Sequence, residues 1–165
     1  MKTQDGFHFV MPVSSKGVLA GDSLADNFDG GTDSQIVCMS KYKTAYFLVH
    51  WGVGTTGQLT ITAVPCDDAT PSHTTTAIPF QYKKCSVTET ETAWTTSSSL
   101  YTDPASSSLY VIKVQAENLP QVAGVKYEYV KLAIAETDDD PLLGGCIIMM
   151  ADPRYDEAIL DGVTV

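Results

Sequence analysis

The chain has 165 residues, 20 of them Asp or Glu against 10 Lys or Arg, for a formal net charge of -10. That length suits one domain able to bury ~70% of the surface its unfolded chain exposes, so no metal or disulfide is needed to hold a core. Acidic charge repels phosphate and disfavours nucleic acid or an anionic membrane as partner. No run approaches the ~20 apolar residues of a membrane span. The opening residues MKTQDGFHFVMPV lack the ~7–15-residue apolar run of an export signal. Synthesis in the cytoplasm is therefore expected.

Residues 1–33 read as an extended N-terminal arm. Asp22 to Asp33 is rich in turn formers and acid, whereas Phe7, Phe9, Val10, Val13, Val18 and Leu19 are too apolar for a solvated tail. The arm is expected to pack on its own domain or on a neighbour. From residue 34 to 154 the pattern is that of a β-sandwich. Ile36–Met39 is a short strand, and Thr44–Trp51 is another with Ala45, Phe47, Val49 and Trp51 on one face. Gly52–Gly57 reads as a glycine-rich hairpin turn. Leu59, Ile61 and Ala63 then alternate with Gln58, Thr60 and Thr62, as a half-exposed strand requires.

After a polar loop, Ala77–Ser86 is a strand in which Pro79 lacks an amide donor and so belongs at an edge or bulge. Glu89–Thr96 is a Thr-rich strand around Trp94, and Ser97–Ser108 reads as a loop. Leu109–Glu117 places Tyr110, Ile112, Val114 and Ala116 on one face. Tyr127–Ala135 does the same with Val130, Leu132 and Ile134. Gly145–Ala151 is apolar throughout and is expected to be covered on both faces. Residues 155–165 form a C-terminal tail. About eight strands with a turn every 8–12 residues or so predict an all-β, antiparallel sandwich, either jelly-roll or Ig-like.

A search for chemistry returns little. Cys38, Cys66, Cys85 and Cys146 have no zinc or haem spacing and read as small apolar side chains. A bridge between Cys66 and Cys85 would not persist in a reducing compartment. His8, His50 and His73 show no spacing that sets two ligands on one face. The turn Gly52–Gly57 lacks a P-loop lysine, and no nucleophile elbow is present. The acidic runs Asp22–Asp33 and Asp138–Asp140 do not fit the spacing of an EF-hand. No catalytic, metal or cofactor residue is nominated, and no enzyme activity is expected. Tyr42, Tyr46, Tyr82, Trp94, Tyr101, Tyr127 and Tyr129 are numerous. Those on outer faces could bind sugars or protein, which leaves a carbohydrate-binding or adhesion module as the alternative reading.

Two segments hold more apolar surface than a monomeric sandwich needs. They are the arm and the last strand, and they nominate Phe7, Phe9, Val10, Val13, Val18, Leu19, Ile147, Ile148, Met149 and Met150 as partner-binding residues. A homo-oligomer is expected.

The order of features resembles the small decoration, or cement, proteins on the heads of tailed bacteriophages. The segments that carry the likeness are Lys41–Val49, Gly52-Val53-Gly54, Leu59–Val64, Cys66–Thr70 and Ala77–Tyr82, within residues 34–154. The resemblance implies a β-sandwich bound to the exterior of an icosahedral capsid, with the major capsid protein as partner and commonly as a trimer. It implies location on the virion, a role in stabilising the shell and no cofactor. It transfers no residue-level site.

Overall fold

The computed structural model describes residues 7–10, 28, 31–51, 57–86, 91–102, 108–137 and 144–154. The fold is all-β. Strands β1 (Phe7–Val10), β2 (Thr32–Asp33) and β3 (Val37–Cys38) come first, followed by the long β4 (Tyr42–Trp51) and β5 (Leu59–Cys66). Next are β6 (Phe80–Ser86), the short β7 (Thr95–Ser97) and β8 (Leu100–Tyr101), then β9 (Ser108–Gln115). A single 3-10 turn at Ala116–Asn118 leads to β10 (Gln121–Val122) and β11 (Val125–Lys126). Strands β12 (Tyr129–Glu136) and β13 (Gly144–Pro153) complete the set.

The strands form two main sheets, antiparallel throughout. Sheet A has the order β1-β13-β4-β9-β6-β7, and sheet B the order β2-β12-β5-β8, with β3 also along β12. The pairings are nested: β1 with β13, β2 with β12, β4 with β9, β5 with β8. Strands β13 and β4, and likewise β12 and β5, join these pairs into two four-stranded sheets. This is the winding of a jelly roll. Strands β6 and β7 extend sheet A beyond β9, and β10 and β11 form a separate hairpin.

Period-2 alternation supplies the core. Phe47, Val49, Ile112, Val114, Ile148 and Met150 face inward from sheet A, and each is fully buried. Leu59, Ile61, Ala63, Val130 and Leu132 answer from sheet B, all equally buried. Both sets belong to one cluster, so the two sheets share a single core. The Trp51 and Tyr110 rings stack inside it at 5.2 Å, a contact worth about 1 kcal/mol beyond the area buried.

Three expectations change, and a fourth, the packing of the arm on its own domain, becomes specific. The segments Tyr42–Trp51 and Leu59–Cys66 do not pair as a hairpin, because β4 lies in sheet A and β5 in sheet B. Alternation identifies a strand's buried face and is silent about its neighbour. The last strand is not covered on both faces. Ile148 and Met150 are buried, but Ile147 is 43% exposed. The span Ser97–Ser108 is not loop throughout, since β8 lies within it and pairs with β5. Finally, the residues assigned to an extended arm supply two strands, with β1 along β13 and β2 along β12.

Pro79 stands where the chain changes sheets. Ile78 bridges to Ala63 in sheet B, and Phe80 opens β6 in sheet A. A residue without an N–H costs least at such a break in the ladder. Gly144 is required by close approach, since a Cβ there would lie 2.1 Å from the His50 carbonyl oxygen. In the β10–β11 turn, Ala123 at φ 50 and Gly124 at φ 82 occupy the two positive-φ positions of a two-residue hairpin loop.

Candidate binding surface

The outward faces of the two sheets differ. On sheet B the outward positions include Thr60, Thr62, Lys131 and Ala133, with Lys131 paired to Asp33. On sheet A they are largely apolar. Ile147 of β13 stands opposite Leu48 of β4, Leu48 opposite Val111 of β9, and Val111 opposite Lys83 of β6. One step along the strands, Met149, Tyr46, Lys113 and Gln81 form a parallel row. The first row crosses four adjacent strands, about 15 Å at the usual spacing. Lys83 then reaches Trp94, with Nζ 5.5 Å from the ring centroid, a geometry that attracts a cation to an aromatic face. Among the described residues the exposed large hydrophobic side chains are Trp94, Tyr101, Val122 and Ile147. Two of these four therefore border one stripe.

Two lysines, Lys83 and Lys113, stand in these outward rows, whereas Lys84 lies opposite the core residue Tyr110 with its Nζ 5.9 Å from that ring. Glu91 pairs with Lys83 at 2.6 Å. That hydrogen bond holds the Glu91 carboxyl below its ordinary range and the Lys83 ammonium above its own. Lys113 has no ion pair among the described residues.

A second cluster lies in the loop after β5. Ser72 Oγ donates to Asp67 Oδ2 at 2.8 Å, the Ser72 hydroxyl also lies 2.9 Å from His73 Nδ1, and Nδ1 is 2.8 Å from Asp67 Oδ2. The three residue types are those of a hydrolytic triad, but the geometry is not. A triad needs the carboxylate on one imidazole nitrogen and the hydroxyl on the other. Here both contacts fall on Nδ1. The His73 backbone N–H also donates to Asp67 Oδ1 at 3.0 Å, so the cluster is a clasp that closes the loop. That backbone bond, the largest influence, together with the side-chain bonds from His73 and Ser72, holds the Asp67 carboxyl well below the usual carboxylate range.

The cysteines are all free thiols. Burial pushes Cys146 up to about 12 and also raises Cys66, which leaves both as protonated, weakly nucleophilic core groups. Among the described residues no three His, Cys, Asp or Glu side chains converge on one point. A hollow of about 370 Å³ lies between Thr44, Gln115, Glu117, Asp152 and Arg154. Within it the Thr44 hydroxyl donates to Asp152 Oδ2 at 2.8 Å.

Of the residues nominated for partner binding, Ile147 is exposed and Met149 half-buried on the outward face, whereas Ile148 and Met150 belong to the core. Phe7, Phe9 and Val10 lie on β1, with Phe9 opposite Met149 and Val10 opposite Ile148. Val13, Val18 and Leu19 lie outside the described residues, as do the acidic run Asp138–Asp140 and the tail 155–165. The partners of Ile147 on the stripe, Leu48 and Val111, were not nominated. A signal for them exists, because Tyr46-Phe47-Leu48-Val49 and Leu109–Val114 hold apolar residues at both parities, the same feature that singled out the last strand. The chain matches no protein-family model, no curated protein and no solved structure.

Proposed function

We propose that this chain is a non-enzymatic virion structural protein that binds the exterior of an icosahedral phage capsid as a homo-oligomer and stabilises the shell. The observation that carries the reading is the outward apolar stripe of Ile147, Leu48 and Val111 on one sheet of a jelly roll. A chain of net charge -10 stays soluble without effort, so a row of large apolar side chains on its open face calls for a partner. The jelly roll recurs in viral capsid proteins and lectins, which is an argument by analogy of fold. A subunit that binds only the assembled shell stabilises it by mass action, and repeated contacts on a symmetric lattice multiply the effect.

The alternative, a carbohydrate-binding module, has less support. Trp94 carries Lys83 above its ring, and Tyr101 stands on β8 in the other sheet with its hydroxyl engaged by Gln58. The two exposed rings thus lie on the edges of different sheets. Quantitative mass spectrometry of density-purified particles from cells carrying the gene tests the capsid reading. The chain is expected in a fixed ratio to the major capsid protein, and its absence from the particles would remove the reading.

A further inference from the structure

We propose that in the free chain residues 155–165 fold back over the outward face of sheet A and cover the stripe of Ile147, Leu48 and Val111, with Asp161 beside Lys113. These eleven residues lie outside the described ones, and three observations nominate them: where the chain leaves the sheet, how far it reaches and what it carries. The described chain ends on sheet A itself. Arg154 directly follows β13, and its N–H donates to the Lys41 carbonyl at 2.8 Å, beside the start of β4. Met149 lies five residues back along β13 and Ile147 seven, ~17 Å and ~23 Å at the rise of a strand. Crossing two strands to β9 adds ~10 Å sideways, so Lys113 stands ~19 Å and Val111 ~25 Å from Arg154. Extended chain spans at most ~3.3–3.6 Å per residue, which carries Asp161 ~23 Å and Val163 ~30 Å from Arg154. Both distances are covered, with slack for the chain to reverse.

Composition matches the face. Residues 155–165 read YDEAILDGVTV, apolar at Ile159, Leu160, Val163 and Val165, acidic at Asp156, Glu157 and Asp161, and without a basic residue. The two central outward rows hold Ile147, Leu48, Val111, Met149 and Tyr46, two lysines and no carboxylate. Glu91 already neutralises Lys83. That leaves Lys113, in the row nearer to Arg154, with no ion pair among the described residues, and Asp161 answers it. The carboxylates of Asp152 and Glu117 stand beyond these rows, at the hollow they share with Lys43 and Arg154, where the two cations offset them. A tethered segment also docks without the loss of translational freedom that a separate molecule pays. The inference concerns the free chain and does not depend on the capsid reading. Where both hold, the segment and the shell compete for one face.

Spin labelling of the full chain, read by nuclear magnetic resonance, tests this. Val163→Cys carries the label, with Cys38→Ser and Cys85→Ser removing the two half-buried thiols. The label is expected to broaden the amide signals of Leu48, Val111 and Ile147 and to leave those of Thr60 and Thr62 on sheet B sharp. Unshifted Thr60 and Thr62 signals in each variant check that the sandwich is folded. Ile159→Asp and Leu160→Asp together are expected to abolish the broadening. Asp161→Lys is expected to weaken it, and Lys113→Asp combined with Asp161→Lys to restore it. Broadening that is absent, or equal on the two sheets, overturns the inference. So does a pair of Asp variants that broadens like the parent, or a charge swap that restores nothing. Mixing spin-labelled chains with separate isotope-labelled ones is expected to give no broadening. Broadening there would assign the contact to a second copy and overturn the inference. A covered stripe in a chain that is missing from particles leaves this inference standing and removes the capsid reading. A chain found on particles whose label broadens nothing does the reverse.

Discussion

Single residues in this chain mostly serve the fold. The Asp67 carboxylate accepts from the His73 amide, the His73 ring and the Ser72 hydroxyl, so its pKa is depressed in the folded state. A depressed folded pKa stabilises the native state fully above the unfolded value of ~3.9, and the contribution is lost as pH falls toward the folded value. Asp67→Asn is therefore expected to melt slightly below the wild type. The gap should be constant above about pH 5 and shrink below about pH 4. Thermal melts of both chains across that range check the sign, and a gap that widens in acid would contradict it. None of this was readable in advance. Asp67 and His73 are six residues apart, and only the loop's closure brings their polar atoms together.

At the scale of elements, β13 separates what pattern can and cannot say. Its five central residues, Cys146 to Met150, are apolar, so a two-sided covering was the natural expectation. The register instead turns Ile148 toward Phe47 and the core, while Ile147 pairs with Leu48 on the open face. Ile148→Ala is expected to cost about 2–5 kcal/mol. Ile147→Ala should change the stability of the isolated chain by no more than about 0.5 kcal/mol. Urea unfolding at low protein concentration, where association does not contribute, distinguishes the two. Equal losses at both sites would restore the two-sided reading. The inward rows of β4, β5, β9 and β12 were legible residue by residue, because burial of one face imposes a strict period of two on the sequence. The short strands β7, β8, β10 and β11 were not. Two or three residues are too few to carry a period; β7 and β8 exist because a longer neighbour offers them a ladder, and β10 and β11 because a tight turn folds them onto each other.

For the whole molecule, the N-terminal residues decide how the fold can be probed. Strand β1 lies along β13, β2 lies along β12, and Phe28 is 2% exposed within the core. Removing residues 1–33 takes away one edge strand from each sheet, β1 and β2, and a buried aromatic ring. Loss of a core Phe alone costs about 3–5 kcal/mol, so the truncated chain is expected to be at least that much less stable. A melting curve matching the full chain would show that residues 1–33 are dispensable to the sandwich. Point variants on the stripe are for this reason the cleaner probe of binding. The sequence by itself determined that the chain is a β-sandwich, which segments are its long strands and which side chains of those strands face inward, because alternation and turn chemistry act over a few residues. The tertiary structure decided which strands pair, that β4 and β5 part into different sheets, and that Ile147, Leu48 and Val111 meet on one open face. Those contacts join positions as distant as Phe7 and Ala151, and hydrophobic patterning, which specifies a face but not a neighbour, is satisfied by many pairings until the whole chain packs around one core.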